Sequence, residues 1–211
     1  MDTKNINTII LDMYGVILKE RTGNFIPYTF GHFDKSEHER LNKLFYENCL
    51  FTKAGYGKLT SDELLSLLGF DNPKFHMKNY IENYLSIDEK FYDFAEKCCK
   101  KYDLILLSTD VSEWSSYITE YYGLNKYFKH KIVSGDVGIR KPNPQIYEFT
   151  LSKINKNPRE CIFVDDNIAN IITAQELGIS SVLFNRFNES YSQVQVGSFD
   201  ELISILFNEN L

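Results

Sequence analysis

A chain of 211 residues, 43% hydrophobic and 25% charged, is long enough to bury the core of one ordinary domain and too apolar to be disordered. Its net charge of −6 argues against a general nucleic-acid surface or a polybasic membrane patch. No apolar run approaches the roughly 20 residues that span a bilayer, and the four cysteines lack metal-type spacing. We therefore expect a cytoplasmic protein with reduced thiols.

The first patterned segment is an apolar run, Ile9-Ile10-Leu11, that ends in Asp12 and turns at Gly15. Such a run predicts a strand that is buried on both faces, as in a parallel sheet covered by helices. A carboxylate at its end lies at the carboxyl edge of the sheet, where open α/β folds bind ligands. The alternative is a structural aspartate that begins a loop or caps a helix.

The next part of the chain, residues 19–101, shows helical periodicity and no strand pattern. Its first segment, residues 19–36, contains Gly23, Pro27 and Gly31, and we expect a loop there. Four helices are predicted after this loop, over residues 36–50, 61–68, 73–85 and 87–101, with Thr60 or Ser61 as the cap of the second and Gly69 as its stop. Residues 19–101 are therefore predicted to form an all-helical cap domain.

From Asp103 onward, short apolar strands alternate with helices. The strands are predicted at residues 104–107, 131–134, 161–164 and 181–184, and the helices at 113–122, 144–154, 168–177 and 199–207. This alternation predicts an α/β fold, a Rossmann-like parallel sheet built from residues 1–18 and 102–211. The helical cap is inserted after the first strand.

Reactive side chains follow the predicted strands: Asp12, Ser108, Lys141 and the pair Asp165-Asp166. A carboxylate that attacks phosphorus needs a hard cation held by oxygen ligands and a second positive charge on the phosphate. The aspartates could hold Mg²⁺, while the lysine and the serine could bind phosphate oxygens. Taken singly, each residue also has a structural explanation, as a solvated lysine, a turn serine or a helix-capping pair.

Four motifs in order resemble the haloacid dehalogenase-like (HAD) hydrolase superfamily. They are Leu11-Asp12-Met13-Tyr14-Gly15-Val16, Leu106-Leu107-Ser108-Thr109, Arg140-Lys141-Pro142 and Phe163-Val164-Asp165-Asp166-Asn167. The resemblance implies that Asp12 is the nucleophile and that Ser108, Thr109 and Lys141 bind the substrate. It also implies a metal site formed by Asp12, Asp165, Asp166 and the backbone carbonyl of Tyr14.

Tyr14 is the main departure from that family's phosphatases, most of which have an aspartate there as general acid and base. A phenol, with an ordinary pKa near 10, is less suited to this role. Asp-x-Tyr-Gly resembles instead the metal-independent 2-haloacid dehalogenases, but those enzymes lack the Asp165-Asp166 pair. Because adjacent carboxylates facing Asp12 would repel one another without a cation, the metal-dependent interpretation is favoured.

We therefore expect a Mg²⁺-dependent phosphatase of a small phosphorylated metabolite, acting through an aspartyl-phosphate at Asp12, with Tyr14, Ser108 and Lys141 as the other catalytic residues. Two alternatives remain at this stage: a 2-haloacid dehalogenase-like hydrolase of carbon–halogen bonds, and a binding or regulatory protein with little turnover. The expected partner is a small molecule, with no nucleic acid or membrane, and the protein is expected to be a monomer or homodimer.

Overall fold

The computed structural model describes residues 5–207 and contains one sheet of six parallel strands. In chain order the strands are β1 (Thr8–Leu11), β2 (Asp103–Ser108), β3 (Phe128–Val133), β4 (Cys161–Asp165), β5 (Ser180–Phe184) and β6 (Gln195–Val196). Their order across the sheet is β3-β2-β1-β4-β5-β6. The α/β fold predicted from the sequence is confirmed, and β6 is a short edge strand that the sequence pattern did not predict.

The central strands are apolar on both faces because helices cover both sides of the sheet. The side chains on one face of the sheet, including Ile10 and Phe163, pack against α9 (Pro144–Ile154) and α10 (Ile168–Glu176). The opposite face packs against α6 (Lys90–Cys98), α7 (Ser112–Tyr121) and α11 (Phe199–Phe207). Since β2, β1 and β4 are neighbours, the residues that follow these strands share one edge of the sheet.

The inserted segment is helical, as predicted. It contains α1 (Phe25–His32), α2 (His38–Asn42), α3 (Leu50–Gly55), α4 (Ser61–Leu68) and α5 (Pro73–Tyr84), and a four-residue helix of the sheet domain, α8 (Ser134–Val137), packs beside it. The Thr60 side chain accepts a hydrogen bond from the Glu63 backbone and thus begins α4, and Gly69 ends it with φ of 102°.

Two predictions about this segment were wrong. The loop predicted over residues 19–36 contains α1, because Phe25, Tyr28 and Thr29 recur on one face and are buried. Pro27 lies in the first turn, where no backbone N–H is required. The single helix predicted over 36–50 is broken, since a π-helical turn covers Lys43–Glu47 and Cys49 has a φ of 53°.

The two chain segments that connect cap and sheet run side by side. The Lys19 backbone N–H donates to the Ser86 carbonyl at 2.9 Å, and the Asp88 N–H donates to the Ile17 carbonyl at the same distance. Beyond them, Phe94 of α6 packs on Phe199 of α11 at a centroid distance of 5.0 Å. We therefore propose to place the end of the cap before α6 rather than at residue 101.

Trp114 of α7 packs between the cap and the sheet domain. Its ring is fully buried and lies 4.6 Å from Phe25 and 5.2 Å from Tyr80, measured between centroids. The indole Nε1 donates to Ser61 Oγ at 2.7 Å. The cap and the sheet domain therefore share one continuous apolar core. Among residues 5–207, no helix has both the length and the apolar character needed to cross a bilayer.

Candidate active site

A cavity of about 340 Å³ opens where β1, β2 and β4 end. Its floor comes from the sheet domain and includes Asp12, Lys141 and Asp166, whereas Phe51 and Tyr80 of the cap line its other wall. The Asp12 backbone N–H donates to the Val164 carbonyl at 3.0 Å, which continues the β1–β4 pairing for one more residue. The sheet itself therefore fixes the position of the Asp12 carboxylate.

Lys141 joins two of the predicted acids. Its Nζ lies 2.7 Å from Asp12 Oδ1 and 2.7 Å from Asp165 Oδ2, and the side chain is almost wholly buried. Burial by itself would disfavour the ammonium, but the two carboxylates raise the pKa of Lys141 above its ordinary value. The lysine is thus a fixed positive charge beside Asp12, and it is not a solvated loop residue.

Asp165 is held by donors on both oxygens. Asn170 Nδ2 donates to them at 2.9 and 3.1 Å, and the Asn167 backbone N–H donates to Oδ1 at 2.8 Å. With Lys141 on Oδ2, this fully buried carboxylate has its acceptor positions largely filled. Asp165 therefore holds the Lys141 ammonium in contact with both its own carboxylate and that of Asp12.

Asp166 faces a different partner. Arg21, from the segment that leads into the cap, places Nε 2.9 Å from Asp166 Oδ2 and donates through Nη2 to the Asp166 carbonyl at 3.0 Å. The same guanidinium also pairs with Glu189. Gly15, with φ of 75°, passes so close to the Asp166 carboxylate that a Cβ at this position would collide with it.

Three carboxylates, those of Asp12, Asp165 and Asp166, each offer an oxygen within 4.8 Å of the other two, and all three residues are buried. Burial raises the pKa of Asp12 to about 8, against the opposing effect of Lys141, and burial with the nearby Asp165 raises that of Asp166 to about 7. Buried oxygens with this excess of like charge are the donor set that a hard divalent cation prefers.

The residues predicted to bind phosphate present free donors. Ser108 is fully buried at the end of β2, and neither its Oγ nor the Thr109 Oγ1 has a hydrogen-bond partner within residues 5–207. Thr109 also lines the cavity. Because an unmet buried hydroxyl costs about 1–3 kcal/mol, the Thr109 hydroxyl at the cavity is suited to a ligand with acceptor oxygens. Ser108, by contrast, is fully buried and is not among the residues that line the cavity.

Tyr14 turns its ring toward the cap. The ring lies against Gly23, beside the Tyr80 hydroxyl, and its own hydroxyl donates to Asp110 Oδ2 at 3.3 Å. Burial, together with the Asp110 charge, raises the pKa of Tyr14 well above its ordinary value of 10.0. The phenol therefore stays protonated at neutral pH, and its proton is directed toward Asp110.

Several cavity residues were not singled out by the sequence. Asp110 lines the cavity and follows Ser108 at the end of β2, a position that strand-end reasoning could have flagged. Arg21 lies in the segment predicted as a loop, and no periodicity marked it. Tyr80 reaches the cavity from the helix predicted over residues 73–85, whose sequence pattern did not mark any residue as functional.

Comparison with known proteins adds to this geometry. The family model described as haloacid dehalogenase-like hydrolase matches residues 6–178. D-ribitol-5-phosphate phosphatase of Bacteroides thetaiotaomicron is 28% identical over 191 residues, covering 83% of this chain and 90% of that protein. A HAD phosphatase from Thermococcus onnurineus has a TM-score of 0.77 at 19% identity, covering 98% of this chain and 100% of that one.

A second solved structure is a HAD family enzyme from Bacteroides thetaiotaomicron in complex with magnesium and inorganic phosphate. It has a TM-score of 0.71 at 23% identity and covers 89% of this chain and 98% of that chain. The likeness to both structures shows that this chain has the same overall fold as those proteins.

Proposed function

The chain belongs to the haloacid dehalogenase-like hydrolase family, and we propose that it is a Mg²⁺-dependent phosphatase that carries a phosphoryl group on Asp12. The observation that supports this most directly is the Asp12–Lys141 contact of 2.7 Å beside two further buried carboxylates. The phosphatase from Bacteroides thetaiotaomicron at 28% identity supports a small phosphorylated substrate. A cavity of about 340 Å³ has room for a molecule of that size.

The cation would be held by Asp12, Asp166 and the backbone carbonyl of Tyr14, with Asp165 beside them. The residues fit such an ion because three buried carboxylates converge and two of them have raised pKa values. When bound, Mg²⁺ supplies positive charge that offsets the negative charges of the nucleophile and the phosphate. Asp165, whose oxygens already accept from Lys141 and Asn170, is the least free of the proposed ligands.

The side chains of this site divide the work of phosphoryl transfer. An Asp12 oxygen attacks phosphorus and the bond from phosphorus to the ester oxygen breaks, so that the leaving alkoxide takes a proton from water. Lys141, Ser108 and Thr109 donate to the phosphoryl oxygens as charge develops. A water oxygen then attacks the same phosphorus, the bond to Asp12 breaks, and phosphate leaves while the water proton passes to solvent.

Tyr14 affects the rate of these reaction steps. Its hydroxyl proton is directed toward Asp110, and its raised pKa keeps the phenol neutral. A positioned general acid or base typically contributes about 10²–10⁴-fold. We therefore propose that turnover is slow for this family, because water replaces the carboxylic acid that most of its phosphatases use at this position.

The test is phosphate release from a panel of small phosphate monoesters, with Mg²⁺ and with chelator. We expect Mg²⁺-dependent release that is lost in Asp12→Asn and kept in Asp93→Asn, an exposed aspartate of α6 that serves as the matched control. Full activity in Asp12→Asn would contradict the proposal. Halide release from 2-haloacids in chelator, without phosphate release, would support the dehalogenase alternative instead.

A further inference from the structure

Three cationic side chains line the cavity: Arg21, Arg140 and Lys141. Two of them are neutralised by carboxylates, since Lys141 contacts Asp12 and Asp165 and Arg21 contacts Asp166 and Glu189. Arg140 differs from both. The ion pairs formed within residues 5–207 do not include Arg140, and its Nε is buried without a hydrogen-bond partner. Its charge acts on the Asp110 carboxyl without forming an ion pair and partly offsets the rise in the pKa of that group that burial causes. In the described part of the chain, Arg140 is therefore the cavity cation that no carboxylate pairs with directly.

The position of Arg140 is fixed by the cap. Its guanidinium carbon lies 5.3 Å from the centre of the Tyr56 ring, and its side chain lies against Gly55 at the end of α3. Stacking on an aromatic face orients the plane of a guanidinium and leaves its edge free for hydrogen bonds. Lys141, the next residue, points instead to Asp12. The two adjacent cations thus lie at opposite ends of the cavity. Lys141 is at the end formed by the sheet domain, and Arg140 is at the end formed by the cap.

Asp110 is the remaining cavity carboxylate that could have paired with Arg140, but three donors already occupy most of its acceptor positions. Oδ1 accepts from the Val111 backbone N–H at 2.8 Å, and Oδ2 accepts from Ser115 Oγ at 2.7 Å and from the Tyr14 hydroxyl at 3.3 Å. The protein thus satisfies this acid with neutral donors while the neighbouring arginine has unsatisfied ones. The unmet groups at the cap end are donors.

We propose that Arg140 binds a second anionic group of the substrate, located on the part that leaves, so that the substrate class is a phosphate monoester that also carries a carboxylate or another phosphate. This inference rests on the proposed phosphatase function. The transferred phosphoryl group occupies the sheet end beside Asp12 and Lys141, which places the leaving group toward the cap and Arg140. A guanidinium suits either anion because its paired N–H groups match two oxygens.

Matched substrates test this assignment. The carboxylate arm compares 3-phosphoglycerate with glycerol 3-phosphate, and the phosphate arm compares fructose 1,6-bisphosphate with fructose 6-phosphate. We expect the wild type to prefer the more anionic member of at least one pair in kcat/KM by about 10- to 100-fold, as expected for a charge-assisted hydrogen bond. Arg140→Gln should abolish that preference while leaving kcat/KM for the less anionic member within about threefold. The arm that shows the preference identifies the anion.

The matched control is Arg159→Gln, an exposed arginine near the amino end of β4, which should keep the wild-type preference. Equal loss for both members of each pair in Arg140→Gln would overturn the inference, because Arg140 would then act on the transferred phosphoryl group. The absence of a preference in the wild type would overturn it as well.

A binding measurement separates this inference from the proposed function. The affinities of the same probes are measured by calorimetry for Asp12→Asn, with and without Arg140→Gln. If the wild type hydrolyses none of the probes, the phosphatase proposal fails for these substrates, yet a preference for the anionic probes that disappears with Arg140→Gln still supports the role of Arg140. Equal affinities with and without Arg140→Gln would overturn it.

Discussion

The two sides of Asp12 are built from different chemistry. On the charged side, formed by Lys141, Asp165, Asp166 and Asn170, ion pairs and charge-assisted hydrogen bonds of 2.7–3.1 Å hold the carboxylates of Asp12 and Asp165. The Asp166 carboxylate there lies 2.9 Å from the Arg21 guanidinium. On the phenol side, formed by Tyr14, Tyr80 and Asp110, the Tyr14 hydroxyl donates to the buried Asp110 and the Tyr80 hydroxyl donates to the Gly23 carbonyl. The charged side is set by strand ends of the sheet domain, whereas the phenol side includes the cap.

This difference indicates how the site divides its tasks. The charged side has the groups that phosphoryl transfer needs, a carboxylate nucleophile and fixed positive charge. The phenol side provides shape and attachment, since Tyr14 and Tyr80 pack where cap and sheet domain meet. Changes on the charged side should therefore reduce chemistry, and changes on the phenol side should mainly reduce stability.

The largest expected effect comes from Lys141→Gln. Removing the ammonium leaves Asp12 and the transferred phosphoryl group without their fixed protein charge, and phosphatase kcat should fall by about 10²–10³-fold. Steady-state phosphate release measures the loss. Lys153→Gln, an exposed lysine of α9, is the control and should keep its activity. A Lys141→Gln variant within threefold of the wild type would show that the charged side is not the catalytic one.

Trp114→Ala should destabilise the cap without altering the charged side. Deleting this fully buried ring leaves a cavity between Phe25 and Tyr80, and we expect a loss of about 3–5 kcal/mol in the free energy of unfolding. Urea denaturation measures it. Ser61→Ala, which only leaves the indole N–H without an acceptor, should cost about 1–3 kcal/mol. Equal losses in the two variants would argue against ring packing as the main contribution.

The charged side should also make stability depend on pH. Asp12 and Asp166 have pKa values raised from 3.8 to about 8 and about 7, so the folded state binds more protons than the unfolded state between pH values of about 4 and 8. In chelator, stability should be highest near the lower limit and fall as pH rises through this range. Thermal denaturation at several pH values measures the trend, which Mg²⁺ should weaken. A rise in stability over the same pH range would contradict the raised pKa values of Asp12 and Asp166.

The smallest effect is expected from Tyr14→Phe. The variant loses the 3.3 Å hydrogen bond to Asp110 but keeps the ring against Gly23, so the free energy of unfolding should fall by only about 0.5–1.5 kcal/mol. Phosphatase kcat should change by less than about tenfold, because the phenol proton is directed toward Asp110. A loss of 10²-fold or more in phosphatase kcat would instead indicate that the Tyr14 phenol transfers a proton during the reaction.

The charged side was largely predictable from the sequence, because buried apolar runs that end in Asp12, Ser108 or Asp165 place these residues at one edge of a parallel sheet. The phenol side was not. Its Tyr14–Asp110 contact joins residues 96 positions apart. On the charged side, the sequence also did not predict the Arg21–Asp166 contact, which joins residues 145 apart. Such pairs depend on how the cap packs on the sheet, which local periodicity does not encode.

The same dependence on tertiary packing explains why the predictions for the first part of the cap were wrong. Glycine and proline predicted a loop over residues 19–36, yet burial of Phe25 and Tyr28 against the rest of the cap stabilises α1 there. Tertiary packing overrides weak local preference in such cases. Strands β1, β2, β4 and β5 were predicted to within one residue at either end because their apolar runs are continuous. β3 has three exposed residues and begins three residues before the predicted strand.

The proposal that Asp12 carries the phosphoryl group is tested most directly by mass spectrometry of the enzyme quenched in acid during turnover with Mg²⁺ and a phosphate monoester. We expect the peptide containing Asp12 to gain the mass of one phosphoryl group on that residue, and the Asp12→Asn variant to show no such gain. Phosphate release without any modified Asp12 peptide, or modification at another residue, would contradict it.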